Sequence, residues 1–471
     1  MDSNISVLEN TWLERKIFRA YDIRGHLKIL TPTLITEIGF ALAKMLIEAN
    51  QKKVTVGFDA RLTSADYAQR MIQAFLQSGL DVIEIGCVSS PVLYFAAGQY
   101  SSGNGVMITA SHNAVCDNGV KWILQGLPPT PEQIQNVADH IEQKNYVFGQ
   151  GALTNIDPLP SYYDYLQHDV CLNVPLKISI DGFHGSAGHI AHTILEKLGC
   201  EVDASNCEAN GDFPLGPPDP SDPERLKLLQ NAVRHNKSNL GIALDGDGDR
   251  LVVVDEQGSL ISADRLMCLF AKICLKHHPN AQIVCDVKCS SSIAQTAQKY
   301  GGSLNMIRTG SSFLRRYLAY SDNAVFGGEF AGHYVFNDGR GKGFDDGLYV
   351  ALRLIEYMGR QAQPLSILLA EFPERVSSTD VYIDCHGIDQ QHLMQLIEQN
   401  APVDAQIIKV DGLRLDFPFG FGIIRSSNTG EYFTVRFDAD HQQHFDAIRQ
   451  LFVQSVQSDY PAIAQAMAIV H

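Results

Sequence analysis

Hydrophobic residues recur along this 471-residue chain at two alternating spacings, which predict alternating strands and helices. A helix is predicted after Thr31-Pro32, a favourable capping pair, because apolar residues then follow at intervals of three or four. The run VTVGF at 54–58 and the run DVIEIG at 81–86 predict strands, with a second helix between them that ends near Gly79. The start of the chain therefore has the pattern of an α/β domain.

The strand–loop–helix theme returns in the middle of the chain, roughly every hundred residues. Residues 177–199 and 282–302 each predict a strand, a polar loop and a helix, and residues 239–258 predict two strands around an acidic turn. Near the end, strand-like and helical runs interleave, which predicts a smaller α+β domain with an antiparallel sheet. The predicted fold class is α/β, with four domains at residues 1–157, 158–259, 260–372 and 373–471.

The charge balance argues against a nucleic-acid partner. The chain has 37 Lys and Arg against 53 Asp and Glu, a formal net charge of −16, whereas nucleic-acid binders carry a basic excess or a basic face. No run of about 18 apolar residues predicts a membrane span, and the acidic N-terminus lacks the features of a signal peptide. The ten cysteines form no C-x-x-C pair, which indicates a reducing compartment, so we expect a cytoplasmic protein.

The segment GVMITASHNAVCDNGVK at 105–121 places a serine in a polar loop after a strand-like run. Loops at strand ends commonly carry functional groups, so Ser111 and His112 are candidates. Serine is a weak nucleophile unless a base or a metal activates it, and a capping serine in a turn is the alternative. Lys121 is a second candidate base, provided that a nearby positive charge or burial lowers its pKa.

The sequence DGDGDR at 245–250 is the most informative motif. Asp245, Asp247 and Asp249 alternate with glycines, so their carboxylates can converge on one hard cation while the backbone turns sharply. An EF-hand is excluded, because Arg250 stands where that loop requires glycine and the flanking runs are strand-like. Three carboxylates with few other oxygens suit Mg²⁺ and leave room for a phosphate oxygen. The alternative is a solvated acidic turn.

Two further loops could hold a sugar phosphate. GGEFAGH at 327–333 offers Glu329 as an acceptor for two vicinal sugar hydroxyls, although a plain glycine-rich bend is the alternative. RSSNTG at 425–430 offers a guanidinium, hydroxyls and backbone N–H groups, which suit a dianionic phosphate. An Asx or Ser/Thr turn is the alternative there. Isolated residues such as Lys288 carry little information alone.

Taken in order, TASHN with a downstream NGVK, DGDGDR, GEFAGH and RSSNTG resemble the motifs of the α-D-phosphohexomutase superfamily. The resemblance covers nearly the whole chain and is closest to the bacterial phosphomannomutase/phosphoglucomutase group. It implies three α/β domains with mixed sheets and a C-terminal α+β domain around a central cleft. It also implies a monomer or weak dimer whose small-molecule partner is a sugar phosphate.

The resemblance also implies residue roles. Ser111 would be the phosphoserine and, with Asp245, Asp247 and Asp249, would hold Mg²⁺. The implied catalytic residues are Ser111, Lys121, Arg24, Arg250, Lys288 and His112, and the implied substrate contacts are Tyr21, Glu329, Ala331, His333, Arg425, Ser427, Asn428 and Thr429. The implied reaction interconverts hexose 1-phosphate and hexose 6-phosphate, of mannose or glucose or both, through a hexose 1,6-bisphosphate.

Three positions depart from the family pattern. Ala114 and Tyr432 replace prolines, and Ser311 replaces a histidine that would be a proton shuttle and substrate contact. The change at Ser311 bears most on efficiency and sugar preference. Two alternatives therefore stay open: a mutase for glucosamine phosphate or another sugar, and a sugar-phosphate-binding homologue without turnover.

Overall fold

The computed structural model describes residues 13–426 and 432–471. Within these residues the chain forms four β-sheets, each with its own helices, in the order of the sequence. This is the predicted α/β architecture, and the last sheet is wholly antiparallel, as expected for the C-terminal α+β domain. The predicted domain limits at 157, 259 and 372 stay a prediction.

The first sheet has six strands in the order β1-β5-β4-β2-β3-β6. Its elements are β1 (Ile23–His26), α1 (Pro32–Glu48), β2 (Lys53–Phe58), α2 (Ser64–Gln77), β3 (Asp81–Cys87), α3 (Ser90–Tyr100), β4 (Gly105–Ile108), β5 (Asp117–Ile123), α4 (Pro131–Glu142) and β6 (Leu153–Asn155). The predicted α1 cap is confirmed, since Thr31 Oγ1 accepts a hydrogen bond from Leu34 N at 3.3 Å. β5 runs antiparallel to its neighbours, so the loop between β4 and β5 turns back at the carboxyl end of β4.

The second and third sheets are mixed. The second contains α5 (Leu159–Asp169), β7 (Lys177–Asp181), α6 (Gly188–Lys197), β8 (Glu201–Ser205), α7 (Pro223–Asn236), β9 (Leu240–Leu244), β10 (Leu251–Asp255) and β11 (Leu260–Ile261). The third contains α8 (Ala263–His277), β12 (Gln282–Asp286), α9 (Ser292–Lys299), β13 (Ser303–Ile307), α10 (Ser311–Tyr320), β14 (Ala324–Gly328), β15 (Tyr334–Phe336), α11 (Gly347–Gln361) and α12 (Leu365–Leu369). As predicted, the acidic turn joins two strands, β9 and β10, and the structure pairs them antiparallel.

The fourth sheet has six antiparallel strands, with β16-β21-β20-β19-β18 in order and β17 paired to β21. Its elements are β16 (Val376–Ser377), β17 (Val381–Asp384), α13 (Gln390–Gln399), β18 (Gln406–Ile408), β19 (Leu413–Phe417), β20 (Gly420–Ser426), β21 (Tyr432–Ala439), α14 (Gln442–Val456) and α15 (Pro461–Ala468). The run RLDFPFGFGIIR, which the sequence pattern presents as one strand-like stretch, is a hairpin of β19 and β20.

The hydrophobic cores are not divided one per sheet. One continuous core covers the second and third sheets and also includes α3 of the first, whose Phe95 ring lies 5.4 Å from that of Tyr162 on α5. The other face of the first sheet, with α1, α2 and α4, has a separate core, and so does the fourth sheet. Among the helices of the described residues, none combines the length and apolar character needed to cross a membrane.

Candidate active site

Loops from all four sheets line one cleft of about 960 Å³. Most of the predicted site residues lie on its wall: Tyr21, Arg24, Ser111, His112, Lys121, Arg250, Lys288, Glu329, Ala331, His333 and Arg425. The three aspartates of the acidic turn are buried directly behind Ser111. Ser427, Asn428 and Thr429 lie outside the described residues.

Ser111 sits at the carboxyl end of β4, in a loop (residues 109–117, the Ser111 loop) that leads into β5. Its backbone is in the left-handed region, with φ of 51°, and its N–H donates to Thr109 Oγ1 at 2.8 Å. Its Oγ donates to Asp245 Oδ2 at 2.6 Å and lies 3.1 Å from His112 Nδ1. Burial, with nearby Arg250, holds the pKa of His112 well below its usual value, so its imidazole is neutral.

The acidic turn between β9 and β10 brings its three carboxylates within 4.8 Å of one another. Burial and the two neighbouring carboxylates raise the pKa of Asp245 to about 8. Asp247 Oδ1 is buried without a hydrogen-bond partner in the described residues, although the same side chain accepts from Ser90 Oγ at 2.5 Å. Gly246 permits this approach, because a Cβ there would lie 2.5 Å from the Ser111 carbonyl oxygen. The turn therefore concentrates negative charge that a divalent cation would neutralise.

Lys121 reaches this turn from β5. Its Nζ lies 2.7 Å from Asp247 Oδ2 and 2.6 Å from Asp249 Oδ2. Burial alone would lower the pKa of Lys121, but the two carboxylates outweigh burial and raise that pKa well above its usual value. The condition under which the sequence made Lys121 a candidate base, a lowered pKa, is therefore not met here. In this arrangement Lys121 is a partly buried cation that partly neutralises the aspartates.

Two arginines flank the Ser111 loop. On β1, Arg24 donates to Asp22 Oδ2 at 2.6 Å and to Asn113 Oδ1 at 2.8 Å, so it is tied to the loop from its own sheet. Arg250 ends the acidic turn, where its backbone N–H donates to Asp245 Oδ1 at 3.1 Å. Burial would lower the pKa of Arg250, but Asp245 outweighs it and keeps the guanidinium charged. Both guanidinium groups therefore lie beside the Ser111 loop.

The loop after β14 carries Glu329 and His333. His333 Nε2 lies 3.2 Å from Asp249 Oδ1, and its Nδ1 lies 3.0 Å from Glu329 Oε2, so the ring bridges the acidic turn and Glu329 of its own loop. Burial would lower the pKa of His333, but Asp249 outweighs it and raises that pKa to about 10. Glu329 Oε1 also accepts the Gly310 N–H at 2.5 Å. A charged imidazole therefore separates two buried carboxylates.

The fourth sheet contributes the far side of the cleft. Lys288, which follows β12, forms an ion pair with Asp380. Arg425 on β20 places its Nε 3.0 Å from Asp411 Oδ2, and the same Asp411 oxygen accepts the Thr309 N–H at 3.1 Å. Cationic groups thus stand on both the third and the fourth sheet.

Sequence reasoning missed several residues of the site. Ser90 and Asp380 are partners of predicted residues but lie 157 and 92 positions from them in the sequence, whereas Asp411 lies 14 positions before Arg425. Asp345 contacts the guanidinium of Arg315 at 3.4 Å, which in turn stacks on Tyr94. Only spatial proximity identifies Ser90 and Asp380, because neither belongs to a motif whose spacing suggests chemistry. For Asp345, the FDDGLY stretch was a signal that could have been followed.

The three family departures lie at or near the cleft. Ser311, at the start of α10, lines the cleft where the family histidine would stand. Tyr432 also lines it and packs edge-on against Tyr382, with 5.1 Å between the ring centroids. Ala114 accepts a hydrogen bond from Arg61 through its carbonyl oxygen at 2.7 Å, so the loop is held there without proline.

Comparison with known proteins gives the same assignment along the chain. Three phosphoglucomutase/phosphomannomutase domain families match, with alpha/beta/alpha domain I at residues 15–147, domain II at 160–258 and domain III at 262–376. A phosphomannomutase/phosphoglucomutase of Pseudomonas aeruginosa is 35% identical over 95% of this chain and 98% of its own. A phosphoglucomutase of Neisseria gonorrhoeae is 36% identical over 95% of this chain and 98% of its own.

The overall structure agrees with these relatives. The crystal structure of a phosphoglucomutase/phosphomannomutase family protein from Burkholderia thailandensis superposes with a TM-score of 0.90 at 33% identity, covering 96% of this chain and 99% of that one. The similarity therefore extends over all four sheets and the cleft between them. The chain belongs to the phosphoglucomutase/phosphomannomutase family of the α-D-phosphohexomutase superfamily.

Proposed function

We propose that this protein interconverts hexose 1-phosphate and hexose 6-phosphate, of mannose or glucose or both, with Ser111 as phosphoryl carrier and a hexose 1,6-bisphosphate as intermediate. The observation that carries the proposal is the contact of Ser111 Oγ with Asp245 at 2.6 Å, at the floor of a cleft with cationic groups on opposite walls. Both ends of the bisphosphate present the same dianionic group. One cleft can therefore hold the intermediate in either orientation.

In the transfer step, the phosphoryl group on Ser111 Oγ passes to a substrate hydroxyl. The P–Oγ bond breaks as the new P–O bond to the sugar forms, and the hydroxyl proton passes through a basic group of the cleft to the Ser111 Oγ that is released. After the bisphosphate turns around, its other phosphate returns to Ser111 by the reverse chemistry. Such transfer requires chiefly positioning and charge stabilisation, which Arg24 and Arg250 supply beside the loop.

The residues of the acidic turn suit Mg²⁺. The buried Asp247 Oδ1 has no hydrogen-bond partner among the described residues, and the raised pKa of Asp245 shows that its negative charge is unfavourable there. A dication would give the first oxygen a partner and would stabilise the charge on the second carboxylate. Asp245, Asp247 and Asp249, with an oxygen on Ser111, would hold it. Bound there, it would supply positive charge to the phosphoryl oxygens.

The remaining cleft residues would hold the sugar and the phosphate that does not react. Glu329, already an acceptor in this structure, would accept hydrogen bonds from sugar hydroxyls, with His333 and Ala331 beside it. Arg425, with Ser427, Asn428 and Thr429 next to it in the sequence, would bind the distal phosphate, which suits a guanidinium and hydroxyl donors. This anchor is what would let the enzyme use binding energy remote from the reaction.

The test combines a modification assay with an activity assay. We expect mass spectrometry of the purified protein, after treatment with glucose 1,6-bisphosphate, to find one phosphate on the peptide that contains Ser111. With Mg²⁺ and a trace of bisphosphate, mannose 1-phosphate and glucose 1-phosphate should be converted to their 6-phosphates faster than glucosamine 1-phosphate. A higher rate with glucosamine 1-phosphate would instead favour the glucosamine mutase.

The matched variants are Ser111→Ala and Ser205→Ala, the second at an exposed serine on β8. Ser111→Ala should lose the phosphate and fall to below about 1% of the parent's kcat, whereas Ser205→Ala should match the parent. Turnover of Ser111→Ala at the parent rate would show that the carrier is another residue. A parent that binds sugar phosphates without turnover would be the non-catalytic homologue.

A further inference from the structure

Arg61, which follows β2, makes an unusual set of contacts with the Ser111 loop. Its Nη1 donates to the carbonyl oxygens of Ala114 at 2.7 Å and Asp117 at 3.0 Å, and its Nη2 donates to those of Ser111 at 2.8 Å and Asn113 at 2.7 Å. All four Nη protons are therefore used on backbone oxygens of one loop. An ammonium group cannot reproduce this planar fork.

The loop needs such support because Ser111 is strained. A non-glycine residue with φ of 51° lies in the left-handed region, which side chains disfavour, and persists only where its surroundings fix it. Only in this loop conformation do three carbonyl oxygens face the Arg61 guanidinium together, those of Ser111, Asn113 and Ala114. The same conformation directs Ser111 Oγ toward Asp245.

Arg61 is itself held rigidly from two sides. Its Nε lies 3.2 Å from Asp59 Oδ2, and the side chains of this pair are both 1% exposed. The same Asp59 oxygen accepts a hydrogen bond from the Thr109 hydroxyl at 2.7 Å. From the second sheet's domain, the Phe213 ring lies 5.3 Å from the guanidinium carbon. Gly211 allows the two domains to approach each other this closely, because a Cβ there would lie 2.4 Å from the Ala60 carbonyl oxygen. The guanidinium is thus enclosed between the two domains and the loop.

A buried ion pair of this kind is a poor source of stability, because the cost of removing two charges from water offsets their attraction. Burial indeed lowers the pKa of Arg61, in spite of Asp59. The pair is better explained by the geometry it imposes than by a net stabilisation. A single residue that orders four carbonyl oxygens of the nucleophile's loop is suited to that task.

We infer that Arg61 is a positioning residue, which holds the Ser111 loop so that Oγ faces both the acidic turn and the incoming phosphoryl group. The inference rests on the proposed role of Ser111 as phosphoryl carrier. Arg61 acts through the loop backbone and leaves the distal phosphate site on the fourth sheet untouched. Its loss should therefore lower kcat while KM for the sugar phosphate stays nearly constant.

The test compares Arg61→Lys with Arg70→Lys, a matched change at an exposed arginine on α2 that pairs with Asp66. In the full-length protein with Mg²⁺, we expect Arg61→Lys to lower kcat about 10- to 100-fold with KM within about threefold of the parent. Amide exchange of a peptide covering residues 110–118 should become roughly tenfold faster, while peptides from α4 stay unchanged. Arg70→Lys should match the parent in all three measurements.

Two results would overturn the inference: a kcat for Arg61→Lys within about threefold of the parent, or a lowered kcat with unchanged exchange in the loop. If Arg61→Lys does not fold, the double variant Asp59→Asn/Arg61→Gln removes the buried charges together and faces the same two criteria. If the parent shows no mutase activity at all, the proposed function fails. The exchange comparison then still decides whether Arg61 holds the loop.

Discussion

Asp346 offers a stability measurement whose size can be worked out from the structure. It is buried at the start of α11, where it accepts the Tyr349 N–H at 2.9 Å and the Tyr162 hydroxyl at 2.5 Å. Burial raises its pKa from the ordinary 3.8 to about 6. Because the folded-state pKa is raised, the contribution of Asp346 to the free energy of unfolding is fully present below about pH 4. This contribution is lost as the pH rises through about 6. A pKa of about 6 in place of 3.8 corresponds to about 3 kcal/mol.

The perturbation is Asp346→Asn, which keeps the shape and the helix-capping oxygen but stays neutral at every pH. Relative to the parent, the variant should gain about 3 kcal/mol between pH 4 and pH 8. For a cooperative unit of 150–250 residues this corresponds to a relative rise in Tm of roughly 6–12 °C. Pairing with Tyr162 changes little with pH, because the pKa of that phenol is raised well above its usual value by burial and by Asp346 itself.

Differential scanning calorimetry of both proteins, at half-unit pH steps and with a chelator present, measures the effect. Asp222→Asn is the control, since Asp222 caps α7 in the same way, with its side chain accepting Glu224 N–H at 3.0 Å, but is exposed. Its Tm difference from the parent should not change with pH in this range. The reasoning is refuted if the Asp346→Asn difference is equally flat, because the buried carboxyl would then titrate as in water.

Three other substitutions test separate parts of the site. Asp247→Asn should weaken Mn²⁺ binding, measured by electron paramagnetic resonance, by at least roughly tenfold, and unchanged affinity would exclude the acidic turn as the metal site. Gly246→Ala places a Cβ 2.5 Å from the Ser111 carbonyl, so phosphorylation of Ser111 by the bisphosphate should slow while circular dichroism stays unchanged. A phosphorylation rate of Gly246→Ala equal to that of the parent would show that the Ser111 loop can move aside. Arg436 on β21 also lines the cleft, where it forms a buried ion pair with Asp264 at 2.8 Å. Arg436→Met removes the cation of this pair, which should cost about 3–5 kcal/mol in urea unfolding, and a loss below about 1 kcal/mol would contradict this.

Much of the fold could be predicted because its signals are local. The capped start of α1 and the acidic turn between β9 and β10 depend on neighbouring residues only. The hairpin of β19 and β20 was less visible, because apolar residues continue through its turn at Pro418 and Phe419. Proline cannot donate to a ladder, and this was the available sign of the break.

The site was only partly predictable. Motif residues such as Ser111 and Asp245 were identifiable, and the structure brings them into contact. The electrostatic setting of these residues could not be predicted, because it depends on groups that are distant in the sequence. Lys121 needed a lowered pKa to act as a base, but Asp247 and Asp249 raise it instead. Arg61 had no motif to mark it, since its function depends on backbone oxygens that any sequence provides.

The shared core has a consequence for synthesis of the chain. Helix α3 packs Phe95 against Tyr162 and Tyr165 of α5, and Tyr94 against Phe344, all of which follow it in the chain. As the chain leaves the ribosome, that apolar face therefore stays partly uncovered until Phe344 has been made, although the first sheet is complete by about residue 155. Nascent chains paused between these lengths should bind chaperones through α3. Replacing Phe95 by a polar residue should weaken that binding and, in the finished protein, destabilise the core.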